Sequence, residues 1–126
     1  MNAPTFKANQ LPQGDVAHVV GSKDPELWHR TIPNIFKDTV YRFANREAAV
    51  FPEQEIRWTW AELDREVDAL AHGLLELGLQ KGDRVGIWSP NRYEWLLTQF
   101  ATARIGIILV TINPAYRVSE VEFALN

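Results

Sequence analysis

The strongest constraint on this chain lies between Arg84 and Ile112. An alternating stretch, Arg84-Val-Gly-Ile-Trp88, leads into a segment with apolar residues on every side. That segment gives way at Gly106 to the unbroken run Ile107-Ile-Leu-Val-Thr-Ile112. A continuous β-branched run of this kind is the pattern of a strand covered on both faces. The segment before it carries Tyr93, Trp95, Leu96, Leu97, Phe100 and Ala101, which leaves no polar stripe and predicts a helix covered on two sides. Strand, buried crossover helix and strand make a βαβ unit, with parallel strands near 84–88 and 107–112 and a right-handed crossover. The fold class is α/β, as a whole domain or part of one.

The residues before this unit supply a short hairpin and flanking helices. Thr31 is placed to cap a helix and Pro33 suits its first turn. Ile32, Ile35, Phe36, Val40 and Phe43 then recur on one face. Ala48–Phe51 and Ile56–Trp58 flank Pro52-Glu-Gln-Glu55 and predict a hairpin. Thr59 and Glu62 form a capping box, and Leu63, Val67, Leu70, Leu74 and Leu77 make an apolar stripe on the helix that follows. Gly78 is expected to close that helix in the left-handed conformation, with Leu79 folding back. Asn91 with Glu94 opens the crossover helix by the same capping logic, Asn113-Pro114 ends the second strand, and Ser119 with Glu122 opens a last helix. Residues 1–30 are expected to form an irregular N-terminal arm. Pro4, Pro12, Gly14, Gly21 and Pro25 interrupt every pattern there, and Val16, Val19 and Val20 are its candidate anchors.

Composition excludes several functions. With 13 Lys and Arg against 16 Asp and Glu, the formal charge is −3, and no run of four basic residues occurs. Nucleic acid is not an expected partner, because a phosphate backbone calls for clustered cations. With no cysteine, disulfides, thiolate metal sites and cysteine nucleophiles drop out. The longest apolar stretch is too short to span a bilayer, so no transmembrane segment is expected, and Met1–Gly14 lacks the apolar core of a signal peptide. These features predict a soluble, cytoplasmic protein.

A resemblance gathers the motifs together. Trp58-Thr-Trp-Ala-Glu-Leu63 is similar to the first core motif of the adenylate-forming, AMP-binding superfamily. Ala103-Arg-Ile-Gly-Ile-Ile-Leu-Val-Thr-Ile-Asn113 is similar to the second. Lys81-Gly-Asp-Arg-Val85 and Ser89-Pro-Asn91 stand between them in family order, and Ile112-Asn-Pro-Ala-Tyr-Arg117 resembles fatty-acyl-CoA ligases most. Ile105 stands where the family has Ala, a packing change.

The resemblance implies that residues 31–126 are the N-terminal part of the large domain of an AMP-forming acyl-CoA synthetase. In the parent enzyme ATP and Mg²⁺ convert a fatty or other apolar carboxylic acid to an acyl-adenylate, and the coenzyme A thiol then displaces AMP. The Ser/Thr/Gly-rich phosphate loop, the ribose-binding Asp and the adenylating Lys of that family match nothing here. The chain is therefore expected to contribute scaffold, with no catalytic, cofactor-binding or metal-binding residue of its own. No cofactor is expected to bind it alone, and it is expected to self-associate through exposed faces and strand edges. The alternative is a non-catalytic truncated interaction module.

Other candidate residues have simpler explanations. His72 lies opposite the apolar stripe, and His18 and His29 lie in the arm. Glu62 is explained by its cap, and Asp64 and Glu66 by a solvated face. Trp58, Trp60, Trp88 and Trp95 suit sheet–helix packing. Ser89, Asn91 and Asn113 follow the carboxyl ends of the two parallel strands, where open α/β sheets bind ligands, but turn and capping roles explain them as well.

Overall fold

The computed structural model describes residues 21 and 24–125. His18 and the anchors Val16, Val19 and Val20 lie outside the described residues. The elements run α1 (Ile32–Phe43), β1 (Glu47–Phe51), a single 3₁₀ turn (Pro52–Gln54), β2 (Ile56–Thr59), α2 (Trp60–Glu76), β3 (Arg84–Trp88), α3 (Tyr93–Ile105), β4 (Ile108–Ile112) and α4 (Val118–Leu125).

Local chemistry explains most boundaries. The Thr31 hydroxyl accepts from the Asn34 N–H, and Pro33 occupies the first turn of α1. β1 and β2 pair antiparallel around the 3₁₀ turn, where Glu55 adopts the left-handed conformation at φ 55°. The α2 capping box is complete. Glu62 N–H donates to the Thr59 hydroxyl at 3.3 Å, and Thr59 N–H donates to the Glu62 carboxylate at 2.8 Å. Two further N–H groups at the start of α2, those of Trp60 and Ala61, donate to the Arg46 and Ala44 carbonyls, so the helix start is tied to the α1–β1 connection. At the other end Gly78 has φ 89°, and Leu79 N–H returns to the Leu74 carbonyl at 3.3 Å.

β3 and β4 pair in parallel, with Arg84 opposite Ile108 and Trp88 opposite Ile112, and α3 connects them. The core sits where α1, α2 and α3 meet. Phe36, Leu63, Val67, Ala71, Leu97 and Ala101 are buried there, with Trp58, Trp60, Tyr93 and Phe100 packed around them. Phe36 contacts both Trp60 and Phe100 through its ring. α3 touches α1 and α2 on one side and both parallel strands on the other, which accounts for its lack of a polar stripe. The lone buried polar side chain among the described residues, Thr102, donates to the Thr98 carbonyl at 2.7 Å.

Four local expectations need correction. Asn91 does not cap α3; the Gln54 side chain does, from the hairpin turn. The last helix begins at Val118, with Arg117 N–H donating to the Glu120 carboxylate, so Ser119 and Glu122 are not its capping pair. Leu77 is the C-terminal cap of α2 and is 80% exposed; it leaves the apolar stripe because the helix ends before it. β4 is not covered on both faces: Ile107 and Ile112 are buried, but Ile108 is 47% exposed, because α3 lies on one side of this two-stranded sheet.

Candidate functional site

The carboxyl ends of β3 and β4 open side by side. The Ser89–Asn91 loop leaves one and the Asn113–Tyr116 loop leaves the other. Between them lies a shallow cleft of about 490 Å³, lined by Ser89, Asn91, Trp95, Thr111, Asn113 and Tyr116 among others. The parallel register puts these loops at one edge, where the carboxyl ends of both strands lie. Trp88 is 54% exposed rather than core, and its indole N–H donates to the Asn113 carbonyl at 3.1 Å. The Asn113 side-chain carbonyl accepts the Ala115 N–H at 3.0 Å, a turn that stops the strand. Ser89 donates to the neighbouring Pro90 carbonyl. The polar groups nearest the cleft are thus engaged in shaping its loops, and among the described residues lining it there is no base–nucleophile pair.

The opening of α3 is the most ordered polar cluster near that edge. Gln54 accepts the Tyr93 N–H at 3.0 Å with its side-chain oxygen and donates its amide to Glu94 at 3.0 Å. Arg92 forks onto the same carboxylate with two contacts of 3.2 Å. The Gln54 hydrogen bond, then the Arg92 pair, holds the Glu94 carboxyl down at about 2 against an ordinary 4.5. Tyr93 stands edge-on to Trp58 and Phe51, so the hairpin and α3 are joined by both polar and ring contacts.

A second cavity, about 310 Å³, lies among α1, α2 and α3, lined by Pro33, Asn34, Lys37, Asp64, Asp68 and Arg104. Arg104 donates to Asp64 at 2.6 Å and to Asp68, and its guanidinium lies 5.3 Å from the centre of the Phe36 ring. Burial works to lower the Arg104 pKa, but the hydrogen bonds and charges of Asp64 and Asp68 outweigh it and hold the guanidinium above its ordinary value. The sequence placed Asp64 on a solvated face and did not link it, or Asp68, to Arg104. Their i, i+4 spacing was the signal available.

The remaining candidates are dispersed. His72 is exposed, with its ring Nδ1 2.9 Å from the Asp68 carbonyl, and His29 is exposed in the segment before α1. Glu62 is consumed by the α2 cap, whose backbone and hydroxyl hydrogen bonds lower its pKa. Trp58 and Trp60 pack against the core and Trp95 lines the cleft. Among the described residues no group of three His, Asp or Glu side chains is arranged to hold a metal, and no helix is long and apolar enough to cross a membrane.

A parallel βαβ unit with a preceding hairpin and a capped amphipathic helix defines the class: an α/β fold with two parallel strands opening at one edge. Residues 36–126 match the family model described as AMP-binding enzyme, and the chain belongs to that family. It is 49% identical over 117 residues to the mitochondrial medium-chain acyl-CoA ligase ACSF2 of Rattus norvegicus, which covers 93% of this chain and 19% of the relative. It is 43% identical over 100 residues to the putative acyl-CoA synthetase YngI of Bacillus subtilis, which covers 79% of this chain and 18% of that protein. Among solved structures, the N-terminal domain of FACL13 from Mycobacterium tuberculosis superimposes with a TM-score of 0.73 at 29% identity, covering 76% of this chain and 24% of that one. The NpsA N-terminal subdomain of Klebsiella oxytoca gives a TM-score of 0.70 at 29% identity, covering 75% of this chain and 24% of that one. The chain therefore spans about a fifth of the length of the curated relatives it matches.

Proposed function

We propose that this chain is the scaffold segment of an ATP-dependent, AMP-forming ligase that joins medium-chain fatty acids to coenzyme A. The observation that carries the reading is the 49% identity to a medium-chain acyl-CoA ligase across 93% of the chain. In the first step the carboxylate attacks the α-phosphorus of ATP and pyrophosphate leaves; Mg²⁺, where bound in the whole protein, would balance the phosphate charge. In the second the coenzyme A thiol, losing its proton, attacks the acyl carbon and AMP leaves. The chain's own residues position rather than react. The caps of α2 and α3 and the Arg104 fork fix the three-helix core, and that core holds the carboxyl ends of β3 and β4 at one edge.

Residues 31–126 form the N-terminal part of the ligase's large domain. ATP, Mg²⁺ and CoA bind elsewhere in the whole protein, and the chain alone is inactive and self-associates. The sequence favours the cytoplasm, whereas the animal relatives carry "mitochondrial" in their names, and cell fractionation with an antibody to this chain decides between them.

The enzymatic reading is tested by product analysis of the whole protein with a medium-chain acid, ATP and CoA. Thioester, AMP and pyrophosphate in equal amounts support it. ADP with orthophosphate as products, or thioester formed by the 126-residue chain alone, would contradict it.

A further inference from the structure

The parallel ladder ends with Trp88 opposite Ile112, and beyond it β3 and β4 part into the loops that bound the cleft. The Trp88 indole N–H reaches across that gap to the Asn113 carbonyl at 3.1 Å. The same carbonyl accepts the Tyr116 N–H at 3.0 Å, so both of its lone pairs are used. The Asn113 side-chain oxygen takes the Ala115 N–H. Asn113 thus folds its own loop with two hydrogen bonds and is tied to the end of β3 by a third. The described residues that line the cleft carry no charge: Ser89, Asn91, Thr111 and Asn113 bring hydroxyls and amides, and Trp95 and Tyr116 bring flat rings. Such a lining has nothing to offset a phosphate or a carboxylate, and it suits an uncharged chain with polar groups of its own.

We propose that Trp88 is a positioning residue of the ligase reaction: its indole N–H fixes the Asn113–Tyr116 loop so that the cleft seats the uncharged, amide-bearing arm of coenzyme A. The inference rests on the ligase reading above. Of that reaction's substrates, ATP brings a triphosphate. The fatty acid brings a hydrocarbon chain that would leave the amides and hydroxyls of the cleft unpaired. The arm of coenzyme A that ends in the thiol is uncharged, and its amides can pair with those groups. The charged nucleotide end of coenzyme A binds elsewhere in the whole protein, with ATP and Mg²⁺. Trp88 acts through Asn113 and Tyr116, which line the cleft. Without its N–H the loop is held to β3 by one hydrogen bond fewer, and the loss falls on the binding of that arm.

The test uses the whole protein and separates its half-reactions. Trp88→Phe keeps a ring and removes the donor. Its KM for coenzyme A should rise about fivefold, the effect of one hydrogen bond, with the KM values for ATP and for the acid unchanged. Acid-dependent exchange of pyrophosphate into ATP needs no coenzyme A and should run at the wild-type rate. Trp88→His returns an N–H, because Nε2 holds the same place in its ring as the indole nitrogen, and should restore most of the affinity for coenzyme A. An unchanged KM for coenzyme A in Trp88→Phe overturns the proposal. So does an equal fall in both half-reactions, the mark of a merely structural tryptophan, and so does a Trp88→His variant as weak as Trp88→Phe. A wild-type protein that forms no thioester removes the ligase reading itself, a result distinct from any of these.

Discussion

Gln54 and Tyr93 are 39 residues apart in sequence, and the Gln54 side-chain oxygen accepts the Tyr93 N–H at 3.0 Å. One amide therefore caps α3 and, through its nitrogen, steers Glu94. Gln54→Ala should lower stability by about 1–2 kcal/mol, the usual cost of losing a cap and a charge-assisted hydrogen bond. A lower urea midpoint with an unchanged denaturant slope is the expected result. An unchanged midpoint would show that water satisfies the α3 start equally well.

Glu94 has a folded pKa of about 2 against an ordinary 4.5, so the folded state favours the ionised carboxylate. Its contribution to stability is complete above the unfolded value and disappears as pH falls from about 4.5 to about 2. Glu94→Gln should flatten the fall of stability across that window and leave the slope above it unchanged. Glu62, whose pKa is also lowered, should retain part of the acid dependence in the variant. Urea titrations at a series of pH values make the comparison; identical acid limbs in the two proteins would contradict the role assigned to Glu94.

Arg104 joins α3 to α2 through two carboxylates, and its side chain is 20% exposed. Arg104→Lys keeps the charge but loses the planar fork and the stacking on Phe36, and should cost about 1–2 kcal/mol. In a double-mutant cycle, Asp64→Asn should cost less in the Arg104→Lys background than in the wild type. Strict additivity would show the pair to be energetically independent.

Elements governed by neighbours in sequence were legible in sequence. The Thr59–Glu62 box, the Gly78 terminus and the hairpin depend on residues within a few positions of one another, and they form as expected. The strand–helix–strand pattern also held, because burial on two sides leaves a helix without a polar face. The errors arose where a distant group won. Asn91 and Glu94 have good capping spacing, but Gln54 arrives from the hairpin and takes the N–H while Glu94 turns to Gln54 and Arg92. The Arg104 fork escaped notice for the same reason, since Asp64 lies 40 residues away in sequence. Trp88 was expected in the core because of its size; its place on the open side of the sheet depends on what covers β3, which no local pattern encodes.

Gly106 turns α3 into β4 with φ 76°, and an added Cβ would meet the Lys81 Cγ at 2.9 Å. Gly106→Ala should destabilise by about 1–3 kcal/mol, through left-handed strain together with that contact. Adding Lys81→Ala should recover only part of the loss, since it removes the contact and not the strain. Full recovery in the double variant, read from thermal melting, would mean that φ is not the constraint.

The central claim is that this chain does the structural work of the matching segment in an acyl-CoA ligase. The most direct test replaces the matching 117 residues of the rat medium-chain acyl-CoA ligase with this chain and measures thioester formation from a medium-chain acid, ATP and CoA. A folded chimera should retain activity within about tenfold of the unmodified enzyme. A chimera with native circular dichroism and cooperative melting, yet no thioester product, would contradict the account.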